Sequence, residues 1–305
     1  MNVKLISAIA LTVTMQATPL FASDRALERL LHPAVAELES KHDIFHRIGL
    51  AETQLALVEE MSEAACMVAK GIEVEEHLEY IRKFRDRYLQ VHKGLLEGDE
   101  SLGLMHPEEK AKVIKAFWKV EKHWNEDYAP AINHVLETGE LDDNDAYELF
   151  DHDKALIEAL SIMVTEVEAE YANPFEVKMD EALTMEILAR QEFLLEAVAK
   201  DVCVVSLGYH SDLHRKSLQE ELQIFEASHD ALVNGLPGAI LPAPTEEIRD
   251  GLERFGDHWK DAKPYIDKTL GGSRLEDQEM IDFEHLVADL LHELEEIVVL
   301  YENLH

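Results

Sequence analysis

Basic residues are scarce in this 305-residue chain, where 28 Lys and Arg stand against 63 Asp and Glu for a formal charge of −35. Binding phosphate backbones or anionic membrane surfaces requires a basic footprint, so this balance excludes nucleic acid and such membranes as partners. It suits a solvated, self-repelling surface, with cation binding as a secondary expectation. Cysteine is nearly absent: Cys66 and Cys203 are the whole complement. That excludes a disulfide framework, a C-x-x-C redox pair and a C-x-x-C-H haem attachment. Long apolar runs are missing as well. The stretch Leu5 to Met15 is too short to span a bilayer, and nothing later approaches about 20 consecutive apolar residues. Strand alternation between hairpin turns and low-complexity tracts are both lacking, while hydrophobic residues reach 47%, enough for a packed core.

Catalytic signatures are absent too. There is no G-x-S-x-G elbow, P-loop, dinucleotide fingerprint or H-E-x-x-H, and acids are too numerous for one pair to stand out. No enzymatic activity and no cofactor are expected. Residues 1–22 have the pattern of an export signal, with Lys4, the apolar run and Leu20-Phe21-Ala22 before Ser23. The expectation is a periplasmic protein.

What is present is a repeat. LAETQLALVEEMSEAACMVAKG, from Leu50 to Gly71, returns as ILARQEFLLEAVAKDVCVVSLG from Ile187 to Gly208. Gln54 and Gln191, Leu57 and Leu194, Glu59 and Glu196, Cys66 and Cys203, and Gly71 and Gly208 all keep one offset, as do His77 and His214, and His92 and His229. Beyond them the offset slips: His123-Trp124 returns as His258-Trp259, and Pro130 as Pro264. Shared rare residue types at one spacing mark two copies of one folding unit.

Apolar residues step by three and four along each copy, the spacing of a buried helical stripe. The first copy reads as a short helix after Ser23, a long one from Pro33 to Lys70, then helices over Val74 to Glu97, from beyond Pro107 to Thr138, and from Asp142–Asn144 to Tyr171. Ala172-Asn173-Pro174 marks the boundary, because a residue before proline disfavours helix. The second copy gives helices near Phe175 to Leu207, Ser211 to Asn234, Thr245 to Leu270 and Asp277 to Asn303. The expected fold is all-α, two consecutive up-down-up-down antiparallel four-helix bundles over 23–173 and 174–305, packed end to end or side by side.

The repeated stretch resembles the sensory module of the PilJ-type chemotaxis transducers and NarX-type nitrate sensors, whose first helix carries a motif close to A-G-R-Q-R-M-L-S-Q-R-M-x-K-x. Ala51, Gln54, Leu57 and Met61 fall on its positions in the first copy, and Arg190, Gln191, Leu194 and Lys200 in the second. The resemblance implies a four-helix sensory module that recognises a small ligand or works with a membrane receptor protein. It also implies pairing through the first helix, so the two copies are expected to form a pseudo-dimer within one chain. The nitrate chemistry does not carry over. Thr53 and Leu55 replace both arginines in the first copy, Glu192 replaces one in the second, and Glu59 and Glu196 replace the motif glutamine. Added carboxylates reverse the electrostatics that hold an anion.

Candidate ligand residues are Gln54, Gln191, Arg190, Glu59 and Glu196. The two glutamines lie on the apolar stripe, where a buried amide either fixes helix register or lines a pocket. His92 and His229 read as structural histidines at a core edge, and the His-Trp pairs as packing clusters. Helical spacing gives three metal-ligand pairs, His42 with His46, Glu73 with His77, and His210 with His214, each short of a full site. Cys66 and Cys203 read as two buried thiols. They bridge only if the first helices lie side by side with Cα atoms within about 7 Å. Alternatives to a ligand-binding module are an interaction scaffold with a decayed site and a divalent-cation binder.

Overall fold

A computed structural model describes residues 21–171, 179–302 and 304, with side chains from 46 onward except at 172–182, 302 and 303. The protein divides into two compact units, Met1–His42 and Asp43–His305. Within the first, residues 21–42 are helical; the side-chain contacts below all lie in the second. The expected export signal lies outside the described residues except for Phe21 and Ala22, and the boundary at 172–174 lies wholly outside them.

The described chain is all-α, without a strand. Helix α1 is Phe21–Lys70 and α2 is Val74–Glu97. Helix α3 spans 111–138 as Ala111–His123, a π-helical turn Trp124–Tyr128 and Ala129–Thr138. Helix α4 spans 143–171, with a second π-helical turn over Tyr147–Asp151 before Asp153–Tyr171. The second copy contributes α5 (Met179–Leu207), α6 (Ser211–Asn234), α7 (Glu246–Leu270) and α8 (Asp277–Glu302). Helix α1 runs through Pro33, so the separate short helix expected before that residue is part of α1.

Local chemistry explains the ends. Gly71 and Gly208 close the first helix of each copy at φ of 74° and 91°, a region that a side chain strains. Asp142 opens α4 with a capping box to Asp145, and Thr245 opens α7 by accepting from the amide of Ile248. The π-helical turn in α3 accounts for part of the slip in the repeat. Trp124 and Trp259 are one residue further apart than Pro130 and Pro264, and a π turn inserts a single residue. The buried series Val113, Phe117 and Val120 matches Ile248, Leu252 and Phe255 before the turn, and Ile132 matches Ile266 after it.

In the second copy α5 packs on α6 and α8, α7 packs on α6 and α8, and a single core fills the space between them. In the first, α2 packs on α3 and α3 on α4. Tyr128 of α3 donates to the carbonyl of Val58 in α1 at 2.7 Å, and Arg47 of α1 donates to the carbonyls of Leu95 and His106. Aromatic packing repeats as well: Trp124 stacks on Tyr88 with centroids 4.0 Å apart, and Trp259 packs at a tilt against Phe225 at 4.5 Å. The two tryptophans therefore serve the cores, while His123 is half-buried beside Asp127 and His258 is exposed beside Glu293.

The two copies meet along their first helices. Passing up α1 from Glu52 through Glu59 to Cys66, the facing groups on α5 are Arg190, Lys200 and Cys203, so the helices run parallel. Cys66 and Cys203 form a disulfide with Cα atoms 6.2 Å apart. This corrects the expectation of two buried thiols. Their equivalence, which favoured separate burial, is what places both on the line where paired copies touch.

A bond closing so long a loop restricts the unfolded chain strongly. Replacing both cysteines by serine should cost about 2–4 kcal/mol, read as a drop in thermal midpoint that a reductant reproduces in the parent protein and does not deepen in the variant.

Candidate functional site

Among the described residues, the chemistry gathers on the seam between α1 and α5, where position-by-position comparison exposes a charge reversal. Lys200 in the second copy corresponds to Glu63 in the first, and Asp153 of α4 corresponds to the apolar Val287 of α8. On one side of the seam the Lys200 ammonium sits 2.6 Å from Glu59 and 2.7 Å from Asp153, all three buried. Burial opposes that ammonium, but Asp153 and Glu59 hold its pKa well above the usual range. One ammonium offsets one carboxylate. Burial pushes Glu59 up to about 7 and also raises Asp153, with Lys200 opposing in both cases.

Among the described residues, no cation forms an ion pair with the carboxyls of the opposite side, although Lys83 opposes the shift of Glu60. Glu196, the counterpart of Glu59, is buried beside Glu60 and Glu63, and its pKa is raised well above the carboxylate range by burial and then by those neighbours. Burial and nearby carboxylates also lift Glu60 and Glu63 to about 8 and Glu192 to about 7. Oε1 of Glu63 is enclosed without a hydrogen-bond partner. The pairing seam is thus an ion cluster on one side and a group of carboxyls with raised pKa values on the other.

The candidate ligand residues separate into different places. Gln54 reaches across its own copy, Oε1 3.1 Å from Nδ1 of His92, and Gln191 donates to Oγ of Ser228 at 2.9 Å. Both are completely buried, and their hydrogen bonds tie α1 to α2 and α5 to α6. Glu59 and Glu196 belong to the seam. Arg190 stands apart, at the mouth of a cavity of about 130 Å³ between α1, α4 and α5. Glu52, Glu168 and Glu186 line it with Arg190, and Leu55, Val164 and Phe193 supply the apolar wall. Burial and then Glu186 raise Glu168 to about 7, and burial followed by Glu168 and Glu186 raises Glu52 well above its ordinary value; Arg190 opposes both shifts.

The histidines also divide. Burial lowers His92 to about 4 and lowers His229, so both are neutral structural groups near pH 7. His214 is tied to Asp201 at 2.8 Å and Asp151 at 3.3 Å, and His210 to Asp151 at 2.7 Å. Asp151 lies on α4 of the other copy, so this network bridges the two. His77 faces Glu284 of α8, 3.7 Å away, the reciprocal crossing. The pair of His42 with His46 has one member outside the residues with described side chains. Sequence reasoning missed Asp153, Asp201, Glu63 and Glu284, which are inconspicuous among 63 acids. Reading the two copies against each other for charge changes on the apolar face would have exposed the first three.

No protein-family model matches the chain, and no curated protein or solved structure does either. Its class is therefore defined by its own fold: an all-α protein whose two repeated units pair through parallel first helices.

Two measurements check this electrostatic picture. Lys200→Met leaves Glu59 and Asp153 without their cation and should cost about 3–5 kcal/mol in chemical denaturation; a loss below about 1 kcal/mol contradicts the buried trio. The seam also fixes a pH response. Carboxyls raised in the folded state hold protons that the unfolded chain has already released, so their stabilising contribution is full below about pH 4 and is lost as pH climbs through the folded values of about 7 to 8. The thermal midpoint should fall between pH 6 and pH 9. The double variant Glu63→Gln with Glu196→Gln should flatten that fall, and an unchanged slope contradicts the assignment.

Proposed function

We propose that this is an exported, non-enzymatic binding protein of the sensory type, built from two PilJ/NarX-like modules that pair as an intramolecular pseudo-dimer and act as a monomer. Its ligand is a small zwitterion or amine, and its site is the cavity beside Arg190. One observation carries this reading: a single guanidinium shares a small, partly open, half-apolar cavity with three carboxyls. Arg190 supplies the bidentate partner for a ligand carboxylate. Glu52, Glu168 and Glu186 supply acceptors for an ammonium, whose arrival favours their ionised forms. The cavity has about the volume of four water molecules, which suits a ligand of few heavy atoms.

Nitrate and similar anions fit poorly, since three carboxyls surround the one positive group. The resemblance supports the location rather than the ligand: Arg190 occupies an arginine position of the first-helix motif, and the cavity spans both copies, where a ligand influences how they pair. A chain of this kind passes its signal to a membrane receptor protein.

A thermal-shift panel of amino acids, small amines, organic acids and nitrate at constant ionic strength tests the reading. A ligand at 100 times its Kd adds about 2.7 kcal/mol, a shift of several degrees. The expected result is a saturable response to a zwitterion or amine, weakened at least tenfold by Arg190→Ala or Glu168→Gln, with nitrate inert. A flat panel sinks the proposal and returns the chain to the interaction-scaffold reading.

A further inference from the structure

Three groups of acids and histidines among the described residues bring ligand atoms within 4.8 Å of one another: Glu73, His77 and Glu284; Asp127, Glu148 and His152; and His134, Asp142 and Asp145. The last two are internally satisfied. His152 bonds to Glu148 at 2.7 Å and His134 to Asp145 at 2.6 Å, while Asp142 and Asp145 also form the capping box of α4. His77 differs. It is 1% exposed, and neither of its ring nitrogens has a hydrogen-bond partner. Leaving a buried imidazole without partners costs stability unless something else occupies it.

The second copy satisfies the same position in part from its own residues. His214, the counterpart of His77, is hydrogen-bonded to Asp201 through Nδ1, while its Nε2 faces Asp151 at 3.3 Å without a hydrogen bond. In the first copy Ala64 stands where the second has Asp201, and Glu73 stands where it has His210. One copy therefore has a histidine anchored on one ring nitrogen by an aspartate, within a brace of histidines and aspartates. The other has an unpartnered imidazole, an adjacent carboxyl one helical turn earlier, and Glu284 arriving from the opposite copy.

We infer that Glu73, His77 and Glu284 form a binding site for a transition-metal dication of the Zn²⁺ class, which fastens α8 of the second copy to α2 of the first. Nε2 of His77 and Oε2 of Glu284 are 3.7 Å apart. Two ligands at Zn²⁺ bond lengths in a tetrahedron stand about 3.4 Å apart, so a small adjustment suffices. Two carboxylates balance the dication, and the fourth position is open to water. The imidazole selects against Mg²⁺ and Ca²⁺, which prefer all-oxygen sets. Glu73 enters the site from a left-handed backbone, φ 41°, at the start of α2.

The site is separate from the Arg190 cavity. Glu52 and Gly71 are 19 residues apart on or just beyond α1, roughly 28 Å along a helix axis. Success or failure at one leaves the other unaffected.

The test is calorimetric titration of the tag-free, chelator-treated full chain with ZnCl₂ at pH 7.5, beside a thermal melt. One saturable site is expected, with a midpoint that rises by several degrees at saturation and no response to MgCl₂. His77→Ala and Glu284→Gln should each weaken Zn²⁺ binding at least tenfold, while His292→Ala, which removes an exposed histidine of α8, should leave it unchanged. Glu284→Gln keeps size and shape and decides the matter if His77→Ala does not fold. Absence of saturable binding, or parental affinity in Glu284→Gln, overturns the inference.

Discussion

Parallel contact between the two first helices is the constraint on which the rest depends. Once Cys66 and Cys203 lie 6.2 Å apart at Cα, the facing stripes of α1 and α5 are largely withdrawn from solvent, with Glu59, Glu196 and Lys200 buried. A charge on that stripe then needs an answer from the other copy or a proton. Position 200 answers Glu59 with an ammonium, whereas position 63, its equivalent, meets Glu196 with another carboxyl. Symmetric sequence would have produced two identical ion clusters. Divergence of the copies has made the seam one-sided.

The same divergence shapes the cavity on the seam. Arg190 is the one guanidinium lining it, among Glu52, Glu168 and Glu186, a balance that disfavours small anions. At the other end of the seam, loss of an aspartate at position 64 leaves His77 without the partner that His214 retains. Both candidate sites are thus places where one copy lacks what the other supplies. A pseudo-dimer within one chain permits this, because its halves are free to specialise while a dimer of identical chains is not.

Much of the architecture was legible before the structure. The termini of α2 fall at Val74 and Glu97, where the apolar phase and Gly98 place them, and Gln54 and Gln191 lie on the buried stripe as their spacing requires. What was not legible depends on which helices are neighbours. Periodicity shows the face that a residue occupies and not the helix opposite, so the cysteine pairing, the Lys200–Asp153 contact and the His77–Glu284 crossing were invisible. The shift in repeat offset near Trp124 was visible, but only the π-helical turn over Trp124–Tyr128 explains it. Continuity of α1 through Pro33 was missed because a proline usually marks a helix start.

The central claim is that the two copies pair with each other and not with a second chain. Peptide mapping by mass spectrometry under non-reducing conditions, on protein isolated as a single species by size, tests it most directly. The account predicts a cross-linked peptide joining Cys66 to Cys203 in material of monomer mass. Cys66 joined to Cys66, or Cys203 to Cys203, in material of dimer mass would place the partner helix in another molecule and contradict the paired-copy architecture.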